Sequence, residues 1–283
     1  MRLALCNIEN MATQPAILQV IENHKDAISL VITSDPYSSK NGGFLSQAYQ
    51  NILNRGYRFT EYLFVKMVFL NVFRPLLKLF GVQVLPSIKQ RCDELGISHI
   101  HVKDVNGSEV VELLKSKKID LLTIYYFDQI LQPEVIAAPS KGVVNFHPAF
   151  LPSCRGLFPI MFSYLYNEQK YGISAHWIEN TEIDAGPIIE QQKIELSNAC
   201  CLLDIDRQVS NFLPTLYGSV INKIACGEGV ATAQNHQGSY YSYPNKLHLK
   251  TLSKSLKMVN WWWAVGATSK CSRDDLPSSQ IEK

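Results

Sequence analysis

The chain has 283 residues, 46% apolar and 18% charged, with a net charge of +2, which excludes a disordered chain and gives no electrostatic reason to expect a nucleic-acid or membrane partner. Seven cysteines, at 6, 92, 154, 200, 201, 226 and 271, form no C-x-x-C pair, so neither a disulfide framework nor a zinc site is expected. The apolar start Met1 to Cys6 is cut short by Asn7, Glu9 and Asn10, which predicts no signal peptide and a cytoplasmic location.

Leu3 to Cys6 reads as a buried strand, about Gln14 to Asn23 as a helix and Ile28 to Thr33 as a second strand, the opening of a parallel α/β sheet. No glycine fingerprint for a dinucleotide or a P-loop follows the first strand. After a loop from Ser34 to Gly43, the apolar stretch Tyr62 to Val82 is interrupted by Lys66, Arg74, Pro75 and Lys78, and is expected to form two helical pieces broken near Pro75. It packs in a core or between subunits; the alternative is an interfacial helix making a peripheral membrane contact. The alternation then resumes, with helix Leu85 to Leu95, strand Ile97 to Val102, helix Ser108 to Lys117, strand Asp120 to Tyr126, a short helix Pro133 to Ala137 and strand Gly142 to Phe146. Leu157 to Asn167 should be helical, Gly172 to Ile178 and Pro187 to Glu195 strands, and Leu202 to Cys226 one long helix despite Pro214. A hairpin through Gly238 and a polar, frayed tail from Lys270 complete the chain.

The fold expected is α/β, a Rossmann-like, mostly parallel twisted sheet flanked by helices, with a small C-terminal helix and β-hairpin extension. The division is a core at 1–197, with a helical insert at about 36–82, and an extension at 198–283.

Asn145 and His147 alternate with Val144 and Phe146, so both polar side chains share one face at the carboxyl end of a strand, the edge where open α/β sheets bind ligands. Asp184 closes a loop between later strands. An amide donor, an imidazole and a carboxylate together suit acyl transfer to an amine or water, by oxyanion stabilisation and proton transfer. Pro148, Pro152, Arg155-Gly156 and Pro159 make a stiff connection after the strand. His99 and His101 lack a third ligand, so no metal is expected; Cys154 reads as a packed residue.

The segments Asn145-Phe146-His147-Pro148-Ala149-Phe150-Leu151-Pro152, Arg155-Gly156 with Pro159, Gly172-Ile173-Ser174-Ala175-His176-Trp177 and Asp184-Ala185-Gly186-Pro187-Ile188-Ile189 resemble the folate-dependent N-formyltransferases, over about Leu85 to Glu195. The resemblance implies that N10-formyltetrahydrofolate donates a formyl group to an amine. It implies that Asn145 and a protonated His147 stabilise the oxyanion, and that Asp184 holds His147 and assists proton transfer. It also implies a pterin slot at Asp128, Gln129, Ile130 and Leu131 and at Glu179, Asn180 and Ile183. Arg155 and His176 are candidates for the acceptor side. Glycinamide ribonucleotide enzymes carry a glycine-containing phosphate loop after the first strand, where this chain has Cys6-Asn7-Ile8-Glu9-Asn10; the tRNA enzymes carry a basic C-terminal barrel, for which the residues after Asp184 leave little room. The expected acceptor is therefore a small-molecule amine, a nucleotide-linked amino sugar, with no nucleic-acid partner. The alternatives are a 10-formyltetrahydrofolate hydrolase and a non-catalytic folate-binding or membrane-docking protein. Trp261-Trp262-Trp263 suggests a homodimer contact.

Overall fold

A computed structural model describes residues 1–35, 43–234 and 238–268, without the Phe44 side chain. Most of the loop expected at Ser34 to Gly43 and the tail expected from Lys270 lie outside these residues.

Strands β1 (Leu3–Asn7), β2 (Ile28–Ser34), β3 (Ser98–Val102), β4 (Leu121–Tyr125), β5 (Gly142–His147), β7 (Tyr171–Ile178) and β8 (Ile188–Ile194) form one sheet in the order β3-β2-β1-β4-β5-β7-β8, and Arg155–Gly156 is the short strand β6. The first five in that order pair in parallel, while β7 and β8 add antiparallel. Alternation along each strand divides the core. Leu3, Leu5, Leu121, Tyr125, Val144 and Phe146 face the larger cluster, and Ala4, Cys6, Leu122, Ile124 and Val143 the smaller.

Helices follow in chain order as α1 (Gln14–Asn23), α2 (Gly43–Arg55), α3 (Tyr57–Phe64), a π turn (Val65–Phe69), α4 (Leu70–Leu79), α5 (Ile88–Leu95), α6 (Ser108–Ser116), α7 (Pro133–Ile136), α8 (Pro159–Tyr166), α9 (Leu202–Ser210), α10 (Leu213–Ala225), α11 (Lys246–Leu252) and α12 (Trp261–Gly266). Ser87 caps α5 by accepting the Gln90 N–H, and Gly96 ends it in the left-handed conformation, as its sequence suggests. Residues of α6 and α7 cover the smaller cluster; α1, α5, α8, α9, α10 and part of the insert cover the larger one.

Three expectations are corrected. The insert does not break at Pro75, which lies inside α4; the irregularity comes earlier, at the π turn, where the Lys66 carbonyl accepts the Met11 N–H at 2.8 Å. Proline removes one rung of the α4 ladder, whereas the π turn redirects a carbonyl to a tertiary partner. The long helix divides at Asn211 and Phe212, because Pro214 fits the first turn of a new helix better than the interior of an old one. Residues 235–237 of the expected C-terminal hairpin lie outside the described residues, and its described flanks pair with the core rather than with each other: Thr232 bridges Ile188, and strand β9 (Tyr240–Tyr241) runs parallel to β6. No helix among the described residues is long and apolar enough to cross a membrane.

Candidate active site

The carboxyl ends of β4 and β5 open into a cavity of about 700 Å³, and Asn145, His147 and Asp184 all line it. Strand β5 delivers the first two from one face. Asp184 arrives from the loop between β7 and β8 with φ of 51°, in the left-handed region that carboxamide and carboxylate residues tolerate best. Tyr126, Cys154 and Phe158 share that region at φ of 50°, 60° and 54°, so four unusual backbone positions gather around the site.

The Asn145 amide donates one hydrogen to Asp184 Oδ1 at 2.9 Å and directs the other at His176 Nε2, 3.2 Å away. His176 Nδ1 donates to the Trp177 carbonyl at 2.9 Å, which leaves Nε2 as the acceptor for that amide in the neutral ring. His147 Nε2 donates to the Cys154 carbonyl at 2.9 Å, and its Nδ1 faces Asp184 Oδ2 at 3.3 Å. The second Asp184 oxygen also accepts the Gly156 N–H at 2.9 Å. Burial alone would raise the Asp184 carboxyl. The His147 and His176 rings and the Gly156 N–H outweigh it and hold the group down to about 2, so the carboxylate is ionised throughout the neutral range. Burial pulls the His147 imidazole below its ordinary value, against the opposing pull of Asp184 and the Cys154 carbonyl.

Two of the glycines required by close approach flank the triad. A side chain at Gly156, where φ is 92°, would run into the Tyr241 carbonyl, and one at Gly186 into the Trp177 carbonyl. Ser174 pins the loop after His147, accepting from Leu151 N at 3.0 Å and donating to the Ala149 carbonyl at 2.6 Å. Gln234 clamps the other loop, donating to the Asp184 and Gly186 carbonyls at 2.9 and 2.8 Å. Nothing in the sequence around Gln234 signals this role, since the contact spans fifty residues of chain.

The other expected site residues divide. Asp128, Gln129, Ile130, Leu131 and Ile183 line the cavity. The Gln129 side chain faces away, donating to Ser34 Oγ at 2.7 Å and accepting from Val105 N at 2.8 Å, which locks the segment but leaves only its backbone for a ligand. Burial raises the Asp128 carboxyl above its ordinary value. Glu179 and Asn180 are exposed and do not line the cavity, and Asn180 is occupied in accepting the Glu182 N–H. Arg155 and His176 do not line it either: Arg155 pairs its backbone with Ser239 and Tyr240, and His176 is buried behind Asn145 and Asp184. His99 and His101 meet at the Thr33 hydroxyl, at 2.9 and 3.2 Å. Sequence reading missed Lys66, Tyr62, Tyr126 and Asp206, which line the same cavity.

Residues 87–221 match the family model described as formyl transferase. The chain is similar to a methionyl-tRNA formyltransferase of Kosmotoga olearia, 31% identical over 163 residues that cover 57% of this chain and 52% of that protein. It is also similar to one of Fusobacterium nucleatum, 32% identical over 133 residues, 47% of this chain and 43% of that protein. The chain thus spans about half the length of these relatives. In fold it is similar to an N-formyltransferase of Helicobacter canadensis solved with folinic acid and dTDP-3-aminofucose, with a TM-score of 0.56 at 19% identity over 92% of this chain and 84% of that one. A phosphoribosylglycinamide formyltransferase of Bacillus halodurans matches with a TM-score of 0.52 at 18% identity, over 79% of this chain and 95% of that one. The chain is thus similar to formyl transferases over residues 87–221, just under half of its length.

Proposed function

We propose that the protein transfers the formyl group of N10-formyltetrahydrofolate to the amine of a small acceptor, a nucleotide-linked amino sugar. The observation that carries this reading is the mutual bonding of Asn145, His147 and Asp184 on the wall of one cavity. The donor supplies an activated formyl group. A flat apolar wall at Ile130, Leu131 and Ile183, with backbone groups at Gln129 and Leu131, fits a pterin ring and its edge.

The chain's own residues handle the proton and the developing charge. His147 Nε2 keeps its hydrogen on the Cys154 carbonyl, so Nδ1 is the basic nitrogen, and the Asp184 carboxylate stands ready to stabilise the imidazolium once the acceptor amine has lost its proton. The resemblance implied that Asn145 and a protonated His147 share the oxyanion, whereas here Asn145 takes the oxyanion and His147 the proton. The Asn145 N–H now held by Asp184 is released to the oxyanion as the carboxylate turns its charge to the imidazolium; when the adduct collapses, the bond to N10 breaks and the His147 proton passes to N10 of the departing tetrahydrofolate.

Two features support a sugar over a ribonucleotide. The turn after β1 closes on itself, with Asn10 Oδ1 accepting the Ala12 and Thr13 N–H groups, and the insert caps the preceding N–H, that of Met11, through the Lys66 carbonyl. Those backbone donors are therefore occupied where a phosphate would need them. The likeness to methionyl-tRNA formyltransferases favours a second reading, with charged tRNA as acceptor. Formyl transfer followed by mass, with formyl-folate and dTDP-3-aminofucose, glycinamide ribonucleotide or methionyl-tRNA, decides between them. Product with the amino sugar is expected; formate release without any formylated amine would sink the reading in favour of a hydrolase.

A further inference from the structure

The cavity has a second polar end that the formyl-transfer chemistry leaves unused. Lys66, on the π turn, and Asp206, on α9, form an ion pair whose side chains are only 4% and 1% exposed. The Tyr126 hydroxyl, just past β4, donates to the other Asp206 oxygen, and the Tyr62 hydroxyl on α3 lies 3.4 Å from both Asp206 Oδ2 and Lys66 Nζ. The Lys66 ammonium also sits 4.4 Å above the Tyr126 ring. A buried ion pair is rarely more stable than apolar side chains of the same shape, so one kept on a cavity wall points to use. Tyr125 pairs with Phe146, so Tyr126 and His147 stand at the ends of adjacent strands, and the cluster adjoins the triad.

We infer that Lys66, Asp206, Tyr62 and Tyr126 form the acceptor subsite, and that it takes the hydroxyl-bearing sugar ring of the nucleotide-linked acceptor rather than its phosphate groups. The inference rests on the formyl-transfer reading. Asp206 already neutralises Lys66, and no other Lys or Arg is among the described residues lining the cavity, so a phosphate entering here would meet a carboxylate with its cation already engaged. A ring hydroxyl does better, donating to Asp206 and accepting from Lys66. Burial, followed by the Asp206 charge, drives both phenols well above their ordinary range, so they remain protonated donors at any working pH. Phe158 and the Tyr126 ring offer apolar faces for the carbon side of the sugar.

The test measures initial rates with formyl-folate and dTDP-3-aminofucose, and folinic acid binding by titration, in the wild type and two variants. One is the double variant Tyr62→Phe/Tyr126→Phe, which removes two hydroxyls without orphaning a charge. The other is Lys66→Gln/Asp206→Asn, which removes both charges together and keeps the shapes. The acceptor KM should rise at least tenfold in each, with folinic acid affinity within twofold of the wild type. An acceptor KM within twofold of the wild type in either folded variant overturns the subsite, and the tyrosine variant decides if the charge-free pair does not fold. Wild-type transfer to glycinamide ribonucleotide or methionyl-tRNA, but not to the amino sugar, also overturns it while leaving formyl transfer standing. No formylated amine from any acceptor fails the formyl-transfer reading itself.

Discussion

The two walls of the cavity are built in different ways. One wall is the edge of the sheet, where β5 sets Asn145 and His147 on one face and a short loop brings Asp184 to meet them. The other is the insert, where α3 and the π turn carry Tyr62 and Lys66 to Asp206 on α9, more than a hundred residues away in the chain. The first wall rests on a strand end that the sheet's own ladder holds, so its chemistry can be altered at a smaller cost in stability and with the sheet intact. The second depends on tertiary closure, so its polar groups hold the wall together as well as facing the cavity.

Breaking the second wall should therefore cost the most stability. Asp206→Ala strands the Lys66 ammonium and removes the acceptor of two phenol hydroxyls, which is expected to cost about 3–5 kcal/mol in urea unfolding. A loss below about 1 kcal/mol would mean that the insert is held by its apolar contacts alone, through Phe59, Tyr62 and Val65.

Breaking the first wall should cost activity instead. Asn145→Ala, His147→Ala and Asp184→Ala are each expected to lower kcat by about 10²–10³, near 3 kcal/mol of transition-state stabilisation, while near-ultraviolet circular dichroism stays native. Near wild-type kcat in all three would remove the triad from the mechanism.

A smaller effect separates the walls by pH. Asp184 is held down to about 2 in the folded protein against 3.8 in an unfolded chain, so between these values the unfolded chain binds a proton that the folded one refuses. Stability contributed by Asp184 is complete above about pH 4 and lost as pH falls towards 2, by about 2 kcal/mol. His147, pushed down by burial, adds a separate loss as pH falls through the ordinary histidine range. Comparing urea unfolding at pH 5 and 2.5, wild type should lose about 2 kcal/mol more than Asp184→Asn; equal losses would contradict the ion pairing.

The sheet edge was legible in the sequence because its signals are local. Apolar runs broken by Asn145 and His147 marked a strand end, and Gly156 and Gly186 stand where backbones touch. The insert was not legible, for physical reasons that individual residues show. Pro75 suggested a break that the helix avoids, because the π turn at Val65–Phe69 takes up the irregularity and turns the Lys66 carbonyl to Met11. Lys66 read as an interruption of an apolar stretch, since its partner Asp206 lies in a helix that periodicity ran together with the next. Gln234 left no pattern, because a side chain that clamps two carbonyls needs no neighbours of its own kind. Arg155 and His176 were expected at the acceptor side but do not line the cavity, as strand alternation gives a face but not the depth of a side chain behind it.

The tryptophan run sets the lower limit of the comparison. Three adjacent tryptophans cannot share one environment on a helix, and α12 gives each a different one. Trp261 donates its ring N–H to Glu61 at 2.7 Å and packs edge-on against Phe69, tying α12 to the insert. Trp263 lies 5.5 Å from the Arg207 guanidinium, while Trp262 is 92% exposed. Trp261→Ala should loosen the insert wall by about 1 kcal/mol, because it removes a hydrogen bond to a carboxylate and an aromatic contact together. Trp262→Ala should change stability by less than about 0.5 kcal/mol, as expected where a side chain has little to lose on unfolding. If Trp262→Ala instead lowers stability in proportion to protein concentration in sedimentation and thermal unfolding, its ring is buried between two copies, and the outer face of α12 belongs to an interface.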